Sequence, residues 1–263
     1  MLTIKFMGTG SAFSKKYGHT NMLLSQGQTQ LMIDFGFRAP EGLARQNVSM
    51  KDISHVFISH LHADHVGGLE ELGFISYFLY HQKPTLILPG NLSHTLWENS
   101  LKGGMEWISD EQGKAQQCTL ESYFNVQRIG LDWTSIDGID IKPFVVDHVP
   151  GKEAYGFHVR EAATGAKVIF TCDCRTQLPE LLSEPIHPDF TDGIIFHDCQ
   201  LFKEGHSRVH TLLSDLLAYP KPIRERIFIT HYGDNIQHYL QTVYQHGLRV
   251  AWPDQSMPID LSQ

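Results

Sequence analysis

A chain of 263 residues with 21 basic and 29 acidic side chains has a formal charge of -8 at pH 7, which disfavours long nucleic acid as a partner despite local pairs such as Lys15-Lys16. With 41% hydrophobic and 19% charged residues the composition is ordinary for a globular protein, and the length suits one domain over residues 1–263. Met1–Met7 is too short and interrupted for a signal peptide, no apolar run nears the ~20 residues of a membrane span, and four cysteines make no disulfide framework, so a cytoplasmic protein without membrane attachment is expected.

The first segment reads as a meander of strands, Leu2–Met7, Asn21–Ser25 and Gln30–Phe35, with a glycine turn at Gly8-Thr9-Gly10-Ser11 and a turn at Asp34. A helix is predicted over Pro40–Gln46, where proline takes a favoured first-turn position. His55–Ser59 reads as a short buried strand, and Val66–Tyr80 as a helix with apolar residues at Leu69, Leu72, Ile75, Tyr77 and Leu79. Between them lies His60-Leu61-His62-Ala63-Asp64-His65, three imidazoles and a carboxylate within six residues. Zinc and similar ions take neutral imidazole nitrogen and carboxylate oxygen, and a turn between strand and helix lets successive side chains converge on one point. Histidine is abundant here, 16 residues in all, but abundance alone rarely concentrates it this way.

Further along come a strand at Thr85–Leu88, a helix at Leu92–Leu101 and a glycine-rich loop or insertion at Lys102–Gln117. The second half repeats the rhythm with strands at Ile139–Val146, Ala154–Arg160, Lys167–Thr171, Gly193–Phe196 and Arg226–Thr230, and a helix at Thr211–Ala218. Strands bracketed by helices in both halves predict an α/β fold of αββα type, two mixed sheets with helices outside. His148, Asp173 and His231 each stand where one of these apolar strands ends, which is where a site on such a framework collects side chains. Cys172, Cys174 and Cys199 read as reduced thiols rather than as a second zinc site.

The ordered set His60, His62, Asp64, His65, then His148, Asp173 within Thr171-Cys172-Asp173 and His231 within Thr230-His231-Tyr232 resembles the ligand stations of the metallo-β-lactamase superfamily. The resemblance implies that fold and two divalent ions, zinc first with manganese also accepted. One would be held by His60, His62 and His148, the other by Asp64, His65 and His231, with Asp173 and a water between them. An Asp rather than Cys at position 173 is similar to the phosphodiesterase and ribonuclease Z branch, as are Phe6–Ser11 and the turn at Asp34.

In that branch a histidine near the scissile phosphate precedes the last metal ligand by about the interval of Gly205-His206-Ser207-Arg208-Val209-His210-Thr211. His210 is therefore the expected catalytic acid, with His206 as its alternative, and Asp64 is expected both to bind metal and to orient the attacking water. No basic, glycine-rich arm for gripping tRNA is visible, and Leu101–Glu106 resembles the anti-Pycsar phosphodiesterases, bacterial and phage enzymes that degrade cyclic pyrimidine mononucleotides and so evade anti-phage defence. A small nucleotide substrate and a homodimer follow as expectations from that resemblance. Phe13, Trp107 and Tyr123 are candidates to stack on a base. The competing functions are tRNA 3′-processing of the ribonuclease Z kind, thioester hydrolysis of the glyoxalase II type and non-catalytic nucleotide binding.

Overall fold

A computed structural model describes residues 2–161, 165, 167–175, 193–201 and 208–258. Its strands are β1 (Thr3–Gly8), β2 (Asn21–Gln26), β3 (Thr29–Ile33), β4 (His55–Phe57), β5 (Thr85–Pro89), β6 (Trp107–Ser109), β7 (Ala115–Gln117) and β8 (Asn125–Ile129) in the first half. The second half supplies β9 (Thr134–Ile136), β10 (Ile139–Val145), β11 (Tyr155–Glu161), β12 (Lys167–Phe170), β13 (Ile194–Asp198), β14 (Ile227–Thr230), β15 (Arg249–Val250) and β16 (Ser256–Pro258). One seven-stranded sheet runs β16-β1-β2-β3-β4-β5-β8 and a second runs β15-β14-β13-β12-β11-β10-β9. Each is mixed: the β1–β3 meander is antiparallel and continues in parallel through β4, β5 and β8, while β9–β12 is antiparallel and continues in parallel through β13–β15.

The two sheets meet on an aromatic seam. Phe57 of β4 packs on Phe157 of β11 (4.9 Å between ring centres), Phe157 stacks on Phe170 (4.7 Å), Phe170 on Phe196 (5.0 Å), and Phe196 meets Phe6 of β1 (5.1 Å). Such pairs add about 0.5–1.5 kcal/mol each beyond burial of their area. A second core lies under the helices on the outer face of the first sheet, with Leu43, Leu69, Leu72, Leu96 and Met105; a third, with Leu213, Leu216 and Val243, covers the second sheet. The layering is thus helix, sheet, sheet, helix, as the sequence pattern predicts. No helix among the described residues is long and apolar enough to cross a membrane.

Parallel strands deliver their carboxyl ends to one rim. β3 ends at Asp34, β4 runs into Ser59 and His60, β12 into Asp173 and β14 into His231, while Asp198 closes β13. Asp34 (φ 59°), Cys172 (51°) and His231 (56°) are left-handed at those ends, an uncommon conformation for side-chain-bearing residues, and the sharp turns it makes redirect the chain at the site. The Gly8–Ser11 turn clasps the same rim: the Thr9 carbonyl accepts from the His231 amide (2.8 Å), and the Ser11 amide donates to the Tyr232 carbonyl (3.0 Å).

Several elements differ from expectation. The helix predicted over Val66–Tyr80 divides into Ala63–Val66 and Leu69–Ile75, followed by a wider turn over Ser76–Tyr80. Gly67 and Gly68 form the break because backbone of Phe35 and Gly36 packs where the Gly68 side chain would stand. Lys102–Gln117 is not an unstructured loop: Lys102–Met105 is helical and β6 and β7 form an antiparallel hairpin, its turn held by the Asp110 carboxylate accepting from the amides of Gln112 (2.9 Å) and Lys114 (2.7 Å). The helix expected from Thr211 begins instead at Leu213, since the Thr211 amide is engaged by the Asp198 carboxylate (3.1 Å).

The tightest approach in the first half is at Gly36, where an added Cβ would run into the Asp64 carbonyl. Gly36→Ala is expected to destabilise the fold by about 1–3 kcal/mol, lowering the melting temperature by roughly 3–10 °C, and to weaken divalent-ion binding through displacement of Asp64. Scanning calorimetry beside an ion titration checks both effects.

Candidate metal centre

The structure brings together all seven residues proposed as ligands. His60 and His62 lie on the loop leaving β4, and the helix Ala63–Val66 carries Asp64 and His65. His148, Asp173 and His231 come from the ends of β10, β12 and β14. Two clusters result, His60, His62, His148 with Asp173, and Asp64, His65, His231 with Asp173; within each, the potential donor atoms lie within 4.8 Å of one another. Asp173 belongs to both. Its Oδ2 lies 3.7 Å from His60 Nε2, 3.8 Å from His148 Nε2 and 3.3 Å from His65 Nε2, and its Oδ1 lies 3.1 Å from His231 Nδ1.

Neighbouring groups set which nitrogen faces inward. Asp34 accepts from the Ser59 amide (2.7 Å) and from the Ser59 hydroxyl (2.7 Å). Since that hydroxyl has given its proton to Asp34, its 3.1 Å contact with His60 Nδ1 makes the imidazole the donor and leaves His60 Nε2 a lone pair. Asp34 also accepts from His65 Nδ1 (2.7 Å), which turns His65 Nε2 inward, and the Val209 carbonyl accepts from His148 Nδ1 (2.8 Å) to the same end. Such outer partners orient metal-binding imidazoles and raise their basicity.

The inward atoms crowd together with few protons among them. His62 Nδ1 faces His60 Nε2 at 3.1 Å and His148 Nε2 at 3.2 Å, so one proton at most serves three converging nitrogens, and buried His65 Nε2 and His231 Nδ1, though beside carboxylate oxygens, make no well-formed hydrogen bond among the described residues. Burial, then neighbouring imidazoles, pushes His60 well below the usual histidine range; burial, then His148 and Lys152, pushes His62 down to about 4. Both are thus neutral lone-pair donors at working pH. Burial opposes charge on Asp173, yet His231 and His65 outweigh it and hold the carboxyl well below the usual range. Burial likewise opposes charge on His65, but Asp64, Asp173 and Asp34 together hold it well above the ordinary value. Neutral His60 and His62, with His65 able to yield its proton to an incoming cation, around shared carboxylates are the donor set that zinc or manganese accepts, so the residues fit two divalent ions.

Beside the clusters stands His210. Its Nδ1 contacts Asp198 Oδ2 at 2.7 Å, and its ring packs on His231 (4.9 Å) and His148 (5.1 Å). Asp198 is fully buried and also accepts from the amides of Cys174 and Thr211, both at 3.1 Å. Burial lowers the His210 pKa, but Asp198 outweighs it and raises it to about 9. Sequence reasoning missed Asp198 because it stopped the strand at Phe196; the rule that found Asp173, an acidic residue where an apolar strand ends, would have found it. Asp34 was visible as a turn, but its bonds to Ser59 and His65 were not.

The remaining candidates fall elsewhere. His206 lies outside the described residues. Phe13 and Trp107 are 86% and 59% exposed, and neither lines the cavity that opens beside His60. Tyr123 is a core residue whose hydroxyl donates to the Met105 carbonyl (2.7 Å), so it offers no face to a base. Cys118, Cys172, Cys174 and Cys199 form no disulfide.

Residues 2–250 match the family described as anti-Pycsar protein Apyc1. A protein of that name from Paenibacillus harenae is 36% identical over 241 residues, covering 90% of this chain and 92% of that one. Among solved structures, a diphosphatase from the PhnP family aligns with a TM-score of 0.73 at 15% identity over 99% of this chain and 98% of its own. The metallo-β-lactamase fold protein YhfI from Bacillus subtilis aligns at 0.67 and 16% identity over 97% and 98%. The fold is the metallo-β-lactamase fold.

Asp34→Asn removes the acceptor that orients His65 and is expected to lower divalent-ion affinity about 10–100-fold, read by chelator competition. Unaltered affinity would remove Asp34 from that role. Because His65 carries a proton in the metal-free protein, zinc uptake is expected to release protons and to strengthen as pH rises, seen by calorimetry in buffers of different ionisation enthalpy.

Proposed function

This chain belongs to the anti-Pycsar protein Apyc1 family, and from that premise we propose that it is a dinuclear-metal phosphodiesterase that opens the ring of a cyclic pyrimidine mononucleotide such as cyclic CMP or cyclic UMP. The observation that carries the reading is His210, held by Asp198 and packed against ligands of both clusters. Ions held by the two clusters would neutralise phosphoryl oxygens and ease deprotonation of an attacking water. The rest of the chemistry falls to side chains.

Asp64, which His65 keeps ionised despite burial, is placed to accept a hydrogen bond from the attacking water and so to aim it. As water adds to phosphorus, one phosphorus–oxygen bond to the ribose breaks. The departing alkoxide takes the proton of His210, whose Nδ1 is occupied by Asp198 and whose raised pKa keeps it charged at neutral pH. Both ester oxygens of a cyclic nucleotide belong to one ribose, so the product is a linear mononucleotide and no long groove is needed.

Incubating the zinc- or manganese-loaded protein with cyclic CMP, cyclic UMP, a thioester and a precursor tRNA in parallel tests the reading. Only the cyclic nucleotides should be consumed; turnover of the thioester or the RNA instead overturns it. His210→Ala should keep both ions and lose about 10²- to 10⁴-fold in rate. Because Asp198 favours the protonated form of His210, activity should fall on an alkaline limb as that proton is lost, and Asp198→Asn should move the limb to lower pH.

A further inference from the structure

Two residues at the start of β2 hold the second cluster by its backbone. The Thr20 hydroxyl accepts from the His231 amide (3.1 Å), and the Asn21 carboxamide donates to the Asp64 carbonyl (3.3 Å) while accepting from the Gly36 amide (2.6 Å). The residue before them is His19, which belongs to neither cluster. Its backbone is fixed from the other side, because it packs against Gly8 where a side chain at that position would stand. His19 is 2% exposed, yet neither of its ring nitrogens has a hydrogen-bond partner among the described residues.

A neutral imidazole carries one N–H and one lone pair, and burying both unmet is unfavourable, so native proteins resolve such groups with an ordered water or an ion. The Phe37 ring meets His19 edge-on at 4.2 Å between ring centres and is itself half exposed, which places it toward solvent. Burial pushes the imidazole down to about 4, against the pull of Asp64, and the other charges that act on it are Arg38, His65 and His231. Arg38 is engaged elsewhere, its guanidinium donating to the Lys15 carbonyl (3.3 Å); Asp64, His65 and His231 are the second cluster itself. We infer that His19 is a positioning residue of that cluster, its imidazole holding an ordered water against Asp64 and so fixing this carboxylate on the ion that Asp64, His65 and His231 would bind. A buried water is kept by about two to four polar partners, which the His19 ring, the Asp64 carboxylate and the ion supply. His19 thereby does for Asp64 what Asp34 does for His65.

This inference rests on the two-ion centre, and one titration separates the two. Chelator competition with zinc is run on wild type, His19→Leu, His19→Gln and His19→Asn, and the melting temperature of each is read metal-free and metal-loaded. Wild type should bind two equivalents. His19→Leu should keep the first and lose about 10- to 100-fold in affinity for the second. Its metal-free melting temperature should hold, since an unmet polar ring gives way to an apolar side chain, while the thermal gain on loading shrinks. A carboxamide again offers a donor and an acceptor, at the reach of Nε2 in the glutamine variant and of Nδ1 in the asparagine variant, so at least one of these should regain most of the second affinity. An unaltered second affinity in His19→Leu, equal losses at both equivalents, a loss that neither carboxamide repairs, or a drop in stability confined to the metal-free form overturns the inference and leaves the two-ion centre standing. If His19→Leu does not fold, the carboxamide variants decide: second affinity close to wild type in one of them upholds the inference, and weakening in both overturns it. Fewer than two equivalents in wild type overturns both readings.

Discussion

Imidazole nitrogens that converge on one point with at most one proton among three of them are the constraint on which this molecule is built. His60 Nε2, His62 Nδ1 and His148 Nε2 meet within hydrogen-bonding distance, yet two of the three have Nδ1 hydrogens directed outward, to Ser59 and to Val209. Buried lone pairs crowded around too few protons are unfavourable, and a cation relieves several at once. Asp173 sits where one carboxylate serves both clusters, so the two halves of the centre are linked through a single side chain.

The architecture supplies this convergence by delivering strand ends. Parallel pairs in each sheet stop at one rim, and the left-handed turns at Asp34, Cys172 and His231 swing the chain toward the centre. The Phe6–Phe196 and Phe57–Phe157 contacts hold the sheets face to face, so cluster side chains that follow β4 and lie on the next helix in one half meet those that follow β10, β12 and β14 in the other. Asp34 and Asp198 repeat one arrangement with different outcomes. Each grips an imidazole at Nδ1, but His65 is turned onto Asp64 and Asp173, whereas His210 packs beside His148 and His231.

The residues of the two clusters were legible because their spacing is local: His60, His62, Asp64 and His65 fall within one turn, and the others follow apolar strands. The sandwich was legible from those same strands. What escaped depends on contacts distant in sequence or on segments without apolar contrast. The Asp34–His65 bond spans 31 residues and leaves no mark on either local pattern. β8, as Asn125-Val126-Gln127-Arg128-Ile129, is a half-exposed edge strand, and β16 pairs with β1 through only three residues. The β6–β7 hairpin is largely exposed and shows no alternation. The Gly67–Gly68 break follows from the approach of Phe35 and Gly36, which periodicity within one helix cannot reveal.

The central claim is that two ions share Asp173, and the stoichiometry of bound metal tests it most directly. Elemental analysis of the reconstituted wild type should find two divalent ions per chain, and Asp173→Ala should lose tight binding at both positions rather than one. Retention of one full equivalent by Asp173→Ala, or no stoichiometric metal in the reconstituted wild type, would contradict the account.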